Sequence, residues 1–281
     1  MVEAKYRQIA DELRGQIEEG VLQPGDKLTE KELAVRFDVS INTVKEALRE
    51  LKRGGLVSTQ PKVGTIIAKP VKPLTSTLSH VDLAGKGAVG KGFGGGEGEA
   101  WVLEAALQGR MATVGPLTVE MKKANKRLAE KLDTAVGAQL VARTQFRYID
   151  DVPNSIQTSY FSLKLAMEKA PLLLEAEDIK DGTVVYLHDR GREQAWYEDE
   201  MTARQPTPDE LDFFGLSKDS LAVLEVIRTA YDQNDVPFRL TVTVSAPGRN
   251  VFRILGGDVP AQVRELEEHD SGSSGEGKTA G

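Results

Sequence analysis

The sequence predicts an α+β protein with two domains in series: a small head of three helices closed by a β-hairpin, and a larger antiparallel α/β body. Three observations lead there. Apolar residues recur at three- and four-residue steps from Tyr6 to Leu51, two hairpin-like alternations stand in the second half, and a glycine-rich stretch lies between the regions. With 281 residues, 40% of them hydrophobic and 28% charged, the chain is long enough for both cores.

In the head, Tyr6, Ile9, Ala10, Leu13 and Ile17 form one apolar stripe, and Gly20 with Pro24-Gly25 ends that helix. A short second helix from Glu30 to Phe37 turns Leu33, Ala34 and Phe37 to one side. Ser40 is placed to cap a third helix, whose apolar stripe is Val44, Ala47, Leu48 and Leu51 and which closes at Gly54-Gly55. Two β runs follow, Leu56 to Thr59 and Thr65 to Ala68, joined by a turn over Gln60 to Gly64. Three helices and a hairpin in this order make a winged helix-turn-helix. Off the apolar stripe, the third helix carries Asn42, Thr43, Lys45, Glu46, Arg49, Lys52 and Arg53. Hydrogen-bonding side chains near its start suit base edges, and the later cations suit phosphates. The alternative is an ordinary solvated basic face, which the compact element order argues against.

Charge supports this division. Residues 1–72 carry 13 Lys or Arg against 11 Asp or Glu, a net +2, while the whole chain has 36 against 43 and a net −7. The balance after residue 72 is therefore −9, so a mildly basic head precedes an acidic body. There is no cysteine, which excludes disulfides and thiolate chemistry, and His80, His188 and His269 lie too far apart in sequence for metal-ligand spacing. No cofactor and no metal are expected. The polar start and the absence of a long apolar run lead us to expect a cytoplasmic protein without a membrane partner.

The stretch "GKGAVGKGFGGGEGE" from Gly85 to Glu99 contains a dinucleotide-loop pattern at Gly85, Gly87 and Gly90. It is also one residue short of a P-loop, because Gly92 stands where Lys91 should be followed by Ser or Thr. Neither pattern has its context, since no buried strand precedes it and more glycine follows. The expectation is a linker over 71–100 that lets two heads find their sites.

The body is expected over 101–265, followed by a disordered tail at 266–281. Its clearest piece is "QLVARTQFRYIDDVPNSIQTSYFSL", strand, turn at Asp150 to Asn154, strand, with Arg143, Gln145 and Arg147 on one face and the other face in the core. "LAVLEVIRTAYDQNDVPFRLTVTVSA" repeats the design around Asp232 to Pro237, and helices are expected over Leu163–Leu174 and Thr207–Phe214. His188-Asp189 and the acidic run Glu198, Asp199, Glu200 read as surface charge, because no nucleophile and base can be assembled around them.

Residues 4–69 resemble the GntR-type bacterial transcription regulators. The resemblance rests on "YRQIADELRGQIEEGVLQPGDKLTEKELAVRFDVSINTVKEALRELKRGGLV" and on Gly64-Thr65 in the wing. It implies a homodimer on a palindromic double-stranded DNA operator, with Arg36, Ser40, Asn42, Thr43, Lys45, Arg49, Lys62 and Gly64 as DNA-binding positions. Two departures matter: Ile41 and Lys45 stand where the family usually has Arg, and Lys62 stands where the wing usually has its first glycine. Lys lacks the two-pronged contact that Arg makes to guanine, so the operator need not match the common family site.

Residues 101–255 resemble UTRA, the effector-sensing domain of the HutC branch, similar in fold to chorismate lyase. The resemblance rests on Arg143 and Arg147, "QTSY" at Gln157–Tyr160, "ARQPTPDE" at Ala203–Glu210, Gly215-Leu216 and "VLEVIRTAYD" with a following Val-Pro. It implies a small-molecule effector on the polar sheet face, with Arg143, Gln145, Arg147, Gln157, Ser159, Arg204 and Thr241 as candidate contacts, and dimerisation through this domain. Where sugar-phosphate sensors carry two Arg and two Glu, this chain has Gln145, Arg147, Gln157 and Arg239, which points to a less anionic effector. The same residues could instead make ordinary cross-strand pairs on a solvated sheet face. The function expected is a ligand-responsive repressor rather than an enzyme. The alternatives are a repressor without an effector and an enzyme built on the chorismate lyase-like domain.

Overall fold

A computed structural model describes residues 4–60, 63–69, 71–77, 98–180, 182–216 and 222–254. Two units make it up, one of Met1–Lys72 and Gln205–Ala222, the other of Pro73–Arg204 and Val223–Gly281.

In the first unit, α1 (Lys5–Glu18), α2 (Glu30–Phe37) and α3 (Ile41–Arg53) form where the apolar spacing predicts them. α2 stops because Asp38 turns left-handed, φ 50°, where its amide bonds back to Ala34 and Val35. The N-terminus of α3 is set by Ser40, whose hydroxyl accepts from the Thr43 amide. The helices bury Ile9, Ala10, Leu13, Leu33, Val44, Ala47, Leu48 and Leu51 together. The wing is β2 (Val57–Gln60) paired with β3 (Gly64–Ile67), and a two-residue strand not foreseen, β1 (Lys27–Leu28), adds to the outer edge of β3. Val57 and Ile67 anchor this sheet in the same core.

The second unit opens with β4 (Leu74–Thr77) and α4 (Gly98–Leu107). Within the expected linker, β4 is thus a strand, paired in parallel with β12 (Asn250–Arg253), and the last three positions already belong to α4. Gln108, just after α4, holds Thr75 in place by accepting from its amide and donating to its carbonyl, at 2.9 and 2.7 Å. β5 (Ala112–Val114), β6 (Thr118–Lys123), α5 (Lys126–Lys131), β7 (Gln139–Ile149), β8 (Val152–Ser162), α6 (Leu163–Glu168), α7 (Gly182–His188) and β9 (Gln194–Arg204) follow. α8 (Pro208–Phe214), which belongs to the first unit, precedes β10 (Val223–Asp232) and β11 (Pro237–Ser245). Its start is a full capping box between Thr207 and Glu210. The large sheet is antiparallel in the order β5-β7-β8-β11-β10-β9, with β6 also on β7.

Three expectations are corrected. The turn between β7 and β8 is only Asp150-Asp151, both left-handed at φ 50° and 62°, so that Pro153 sits inside β8 opposite Tyr148 at a register shift. The helix expected over Leu163–Leu174 breaks into α6 and a 3-10 turn at Pro171–Leu174, because proline cannot donate and disfavours helix in the residue before it. Lastly, both faces of the sheet are covered: Val141 and Phe161 pack with α6 and α7, while Leu140, Ile227 and Leu240 pack with α5. Period-two alternation marks two faces and does not say that both will be buried.

Candidate DNA interface and effector site

The exposed stripe of α3 carries Ile41, Asn42, Lys45, Glu46 and Arg49, opposite its four buried apolar residues. Thr43 is half-buried and its hydroxyl lies 2.9 Å from that of Ser40, so these two build the helix start. The cations pair loosely with one another's neighbours: Arg49 with Glu46 at 2.6 Å, Lys45 with Glu30 at 3.8 Å and Arg36 with Glu12 at 2.9 Å, every side chain about half exposed. Such pairs are worth about 0–1 kcal/mol and exchange readily for a phosphate. Arg36 is directed to α1, where Gln16 also accepts from it. Gly64 takes φ 101°, a conformation that side chains resist, at the start of β3. Lys62, the Gly85–Gly92 motif, His80 and His269 lie outside the described residues.

In the body, cross-strand register brings most of the predicted effector residues together. Arg143, Ser159, Thr241, Arg228 and Asp199 stand side by side across five strands, and the Ser159 and Thr241 hydroxyls lie 3.1 Å apart. One step along, Gln145, Gln157 and Thr243 form the next row, half-buried. Arg147 and Ser155 begin a third, buried row. The rows are linked, since Arg147 donates to Gln157 at 2.6 Å and Gln157 donates to Thr243 at 3.2 Å. Trp101 of α4 covers Arg147, ring to guanidinium 4.8 Å. Thus the Gln145–Gln157–Thr243 row lies between a covering by α4 on one side and by the α6–α7 region on the other.

Two predicted effector contacts have other work. Arg143 is buried and donates to the carbonyls of Leu172, Leu173, Glu175 and Glu177, at 2.6 to 3.1 Å. Those groups lie in and just after the 3-10 turn at Pro171–Leu174, where the Leu172 carbonyl also accepts from the Glu175 amide, and the guanidinium supplies the donor that a continuing helix would have given the others. Arg204 projects from the other face, where it and Arg127 of α5 clasp Glu225, with Arg204 Nε 2.7 Å from the carboxylate. Burial alone would raise the Glu225 pKa, yet the two guanidiniums hold it below its ordinary value.

The acidic run on β9 also splits by face. Asp199 makes a two-pronged pair with buried Arg228, both contacts 2.7 Å, and Tyr197 stacks 4.0 Å from that guanidinium. Glu198 and Glu200, on the other face, reach Lys131 of α5. His188 meets Asp189 at 3.4 Å and is part of no larger constellation in the described structure. Thr243 was legible as the next alternate position after Thr241, but the Trp101–Arg147 and Asp199–Arg228 contacts join segments far apart in sequence. Among the described residues, no group of three or more His, Asp or Glu could hold a metal ion, and no helix is long and apolar enough to cross a membrane.

Comparison with known proteins agrees with both halves. Residues 5–67 match the family model "Bacterial regulatory proteins, gntR family", and residues 107–249 match the UTRA domain. The transcriptional repressor NagR of Bacillus subtilis is 24% identical over 258 residues, 88% of this chain and 92% of NagR. The regulator Rv0792c of Mycobacterium tuberculosis is 27% identical over 249 residues, 88% of this chain and 84% of that protein. The repressor MngR of Escherichia coli is 46% identical, but over only 63 residues, 26% of its length. A crystal structure of a GntR-family transcriptional regulator shares the fold with a TM-score of 0.59 at 20% identity, covering 91% of this chain and 98% of that one. The head that could enter a DNA groove and the sheet that could hold a small molecule are therefore the two parts of one known design, and the chain belongs to the GntR family of transcription regulators, in the HutC-type form that joins a DNA-binding helix-turn-helix to a UTRA domain.

Proposed function

We propose that this regulator is a repressor that binds a palindromic operator as a homodimer and that a small polar molecule, held along the Gln145–Gln157–Thr243 row, alters its grip on DNA. The observation that carries the first half is the capped α3 with Asn42, Lys45 and Arg49 exposed along one stripe. Asn can read adenine through two hydrogen bonds, and the two cations suit phosphates or guanine. The second half rests on the half-buried amide and hydroxyl row beside Arg147. With Arg143 and Arg228 already committed to carbonyls and to Asp199, the row offers neutral donors and acceptors beside Arg147, and its Gln145 amide donates to the Asp178 carboxylate at 2.8 Å. That composition favours a neutral or singly charged effector over a sugar phosphate. The effector must bind one head spacing better than another, because equal affinity for both would shift nothing.

A mobility-shift titration against the DNA upstream of the protein's own gene tests the DNA-binding part. Binding should weaken steeply with salt, and Arg49→Ala should weaken it about tenfold and lower the salt slope by about one for each head. Indifference to both salt and Arg49 would refute the reading. A thermal-shift screen of polar metabolites tests the rest, since a ligand at 100 times its Kd stabilises by about 2.7 kcal/mol.

A further inference from the structure

We infer that Ile41 is a specificity-determining residue of the DNA interface, and that it reads the C5-methyl group of a thymine in each half-site. The inference rests on the DNA-binding reading and adds a particular base contact to it. Ile41 is the first residue of α3, directly after the Ser40 cap, and remains 42% exposed. Its aliphatic neighbours behave differently: Val39 packs against the head's core and Val44 is fully buried in it, whereas Ile41 belongs to neither group. A single exposed apolar residue is ordinary on a protein surface, so its location carries the argument. It shares the exposed stripe with Asn42 and Lys45, at the end of the helix that contacts base edges in helix-turn-helix proteins. The cap also fixes where it points, because the Ser40 hydroxyl both accepts from the Thr43 amide at 3.2 Å and meets the Thr43 hydroxyl.

A branched aliphatic side chain can neither donate nor accept a hydrogen bond. Among base edges in the major groove, the thymine methyl is the one apolar group available to it, and cytosine, adenine and guanine present polar atoms instead. Beside it, the exposed Asn42 side chain makes no hydrogen bond to another described residue and suits adenine. The two residues together favour an A·T-containing step where α3 first enters the groove, and a guanine there would leave its acceptors facing a methyl group.

The test uses the full-length protein and duplex DNA. Binding sites are selected from randomised duplexes, and each thymine of the selected site is then replaced singly by deoxyuridine, which removes only the methyl group. One thymine per half-site should lose about fourfold in affinity, the effect of a methyl no longer buried. Ile41→Ala should bind the thymine and uracil duplexes equally, while Ile41→Val should retain most of the preference. If every uracil substitution affects the wild type and Ile41→Ala alike, the assignment is wrong although the protein still reads DNA. If no duplex is enriched at all, the DNA-binding reading fails and the inference fails with it.

Discussion

The head and the body handle charge in opposite ways. Among the described residues up to Lys72 no polar or charged residue is buried, whereas the body buries Arg143, Arg147, Arg228 and Arg239 together with Glu225 and Asp232. In the head the ion pairs of Arg36, Lys45 and Arg49 join half-exposed side chains that a nucleic acid can displace at small cost. In the body, by contrast, the Arg143 and Arg228 guanidiniums are desolvated and each is bound to two or more acceptor atoms, so they define where loops and strands lie. A surface that must exchange its partners needs weak pairs. A scaffold that must hold a small molecule in register needs strong ones.

Arg143 offers the sharpest way to break this contrast. Arg143→Ala should destabilise the body by about 4 kcal/mol, since four carbonyls lose a charged donor at once, and urea unfolding followed by tryptophan fluorescence would measure it. Next is Asp199→Ala, which leaves Arg228 buried without its carboxylate and should cost about 3 kcal/mol in the same experiment. A cost below that of an ordinary surface substitution in both variants would mean that the buried charges do not hold the body together.

The head should respond more mildly. Ser40→Ala removes the cap of α3 and should cost about 1 kcal/mol, seen as a small drop in thermal midpoint together with weaker DNA binding.

Acid should affect the body through two carboxylates. For Glu225, burial acts to raise the pKa, but Arg204 and Arg127 outweigh it and bring the value down. For Asp232, burial again acts upward, and the Asn234 and Val236 amides with Arg192 bring it below the ordinary value. A folded-state pKa below the unfolded one gives stability that is present above the unfolded value and is lost as pH falls through the folded value. Stability measured from about pH 6 down to about pH 3 should therefore fall in the acid limb, and Glu225→Gln should flatten that limb while lowering stability near neutrality.

Local chemistry made much of this legible. The three head helices follow from apolar spacing, Ser40 from the need for a cap, and the capping box of α8 from Thr207 and Glu210 three residues apart. The rows of Arg143, Gln145, Arg147 and of Gln157, Ser159 follow from strand alternation, and the hairpins that bring those rows together from their turn residues. Less legible was what covers each face. Nothing local to Arg143 reveals that it meets the carbonyls around and after Pro171. That Arg204 lies on the face opposite the polar rows depends on the register of β9 with β10.

The amino-acid sequence by itself determined the two-domain order, the helices and hairpins, and the identity of α3 as the helix that presents polar and cationic side chains, since each depends on residues within a few positions of one another. Only the tertiary structure decided that β4 pairs with β12, that Trp101 covers Arg147, and that Arg204 and Arg127 share Glu225. Those contacts join residues distant along the chain, and their energy comes from desolvation and close approach, which exist only once the strands have taken their places.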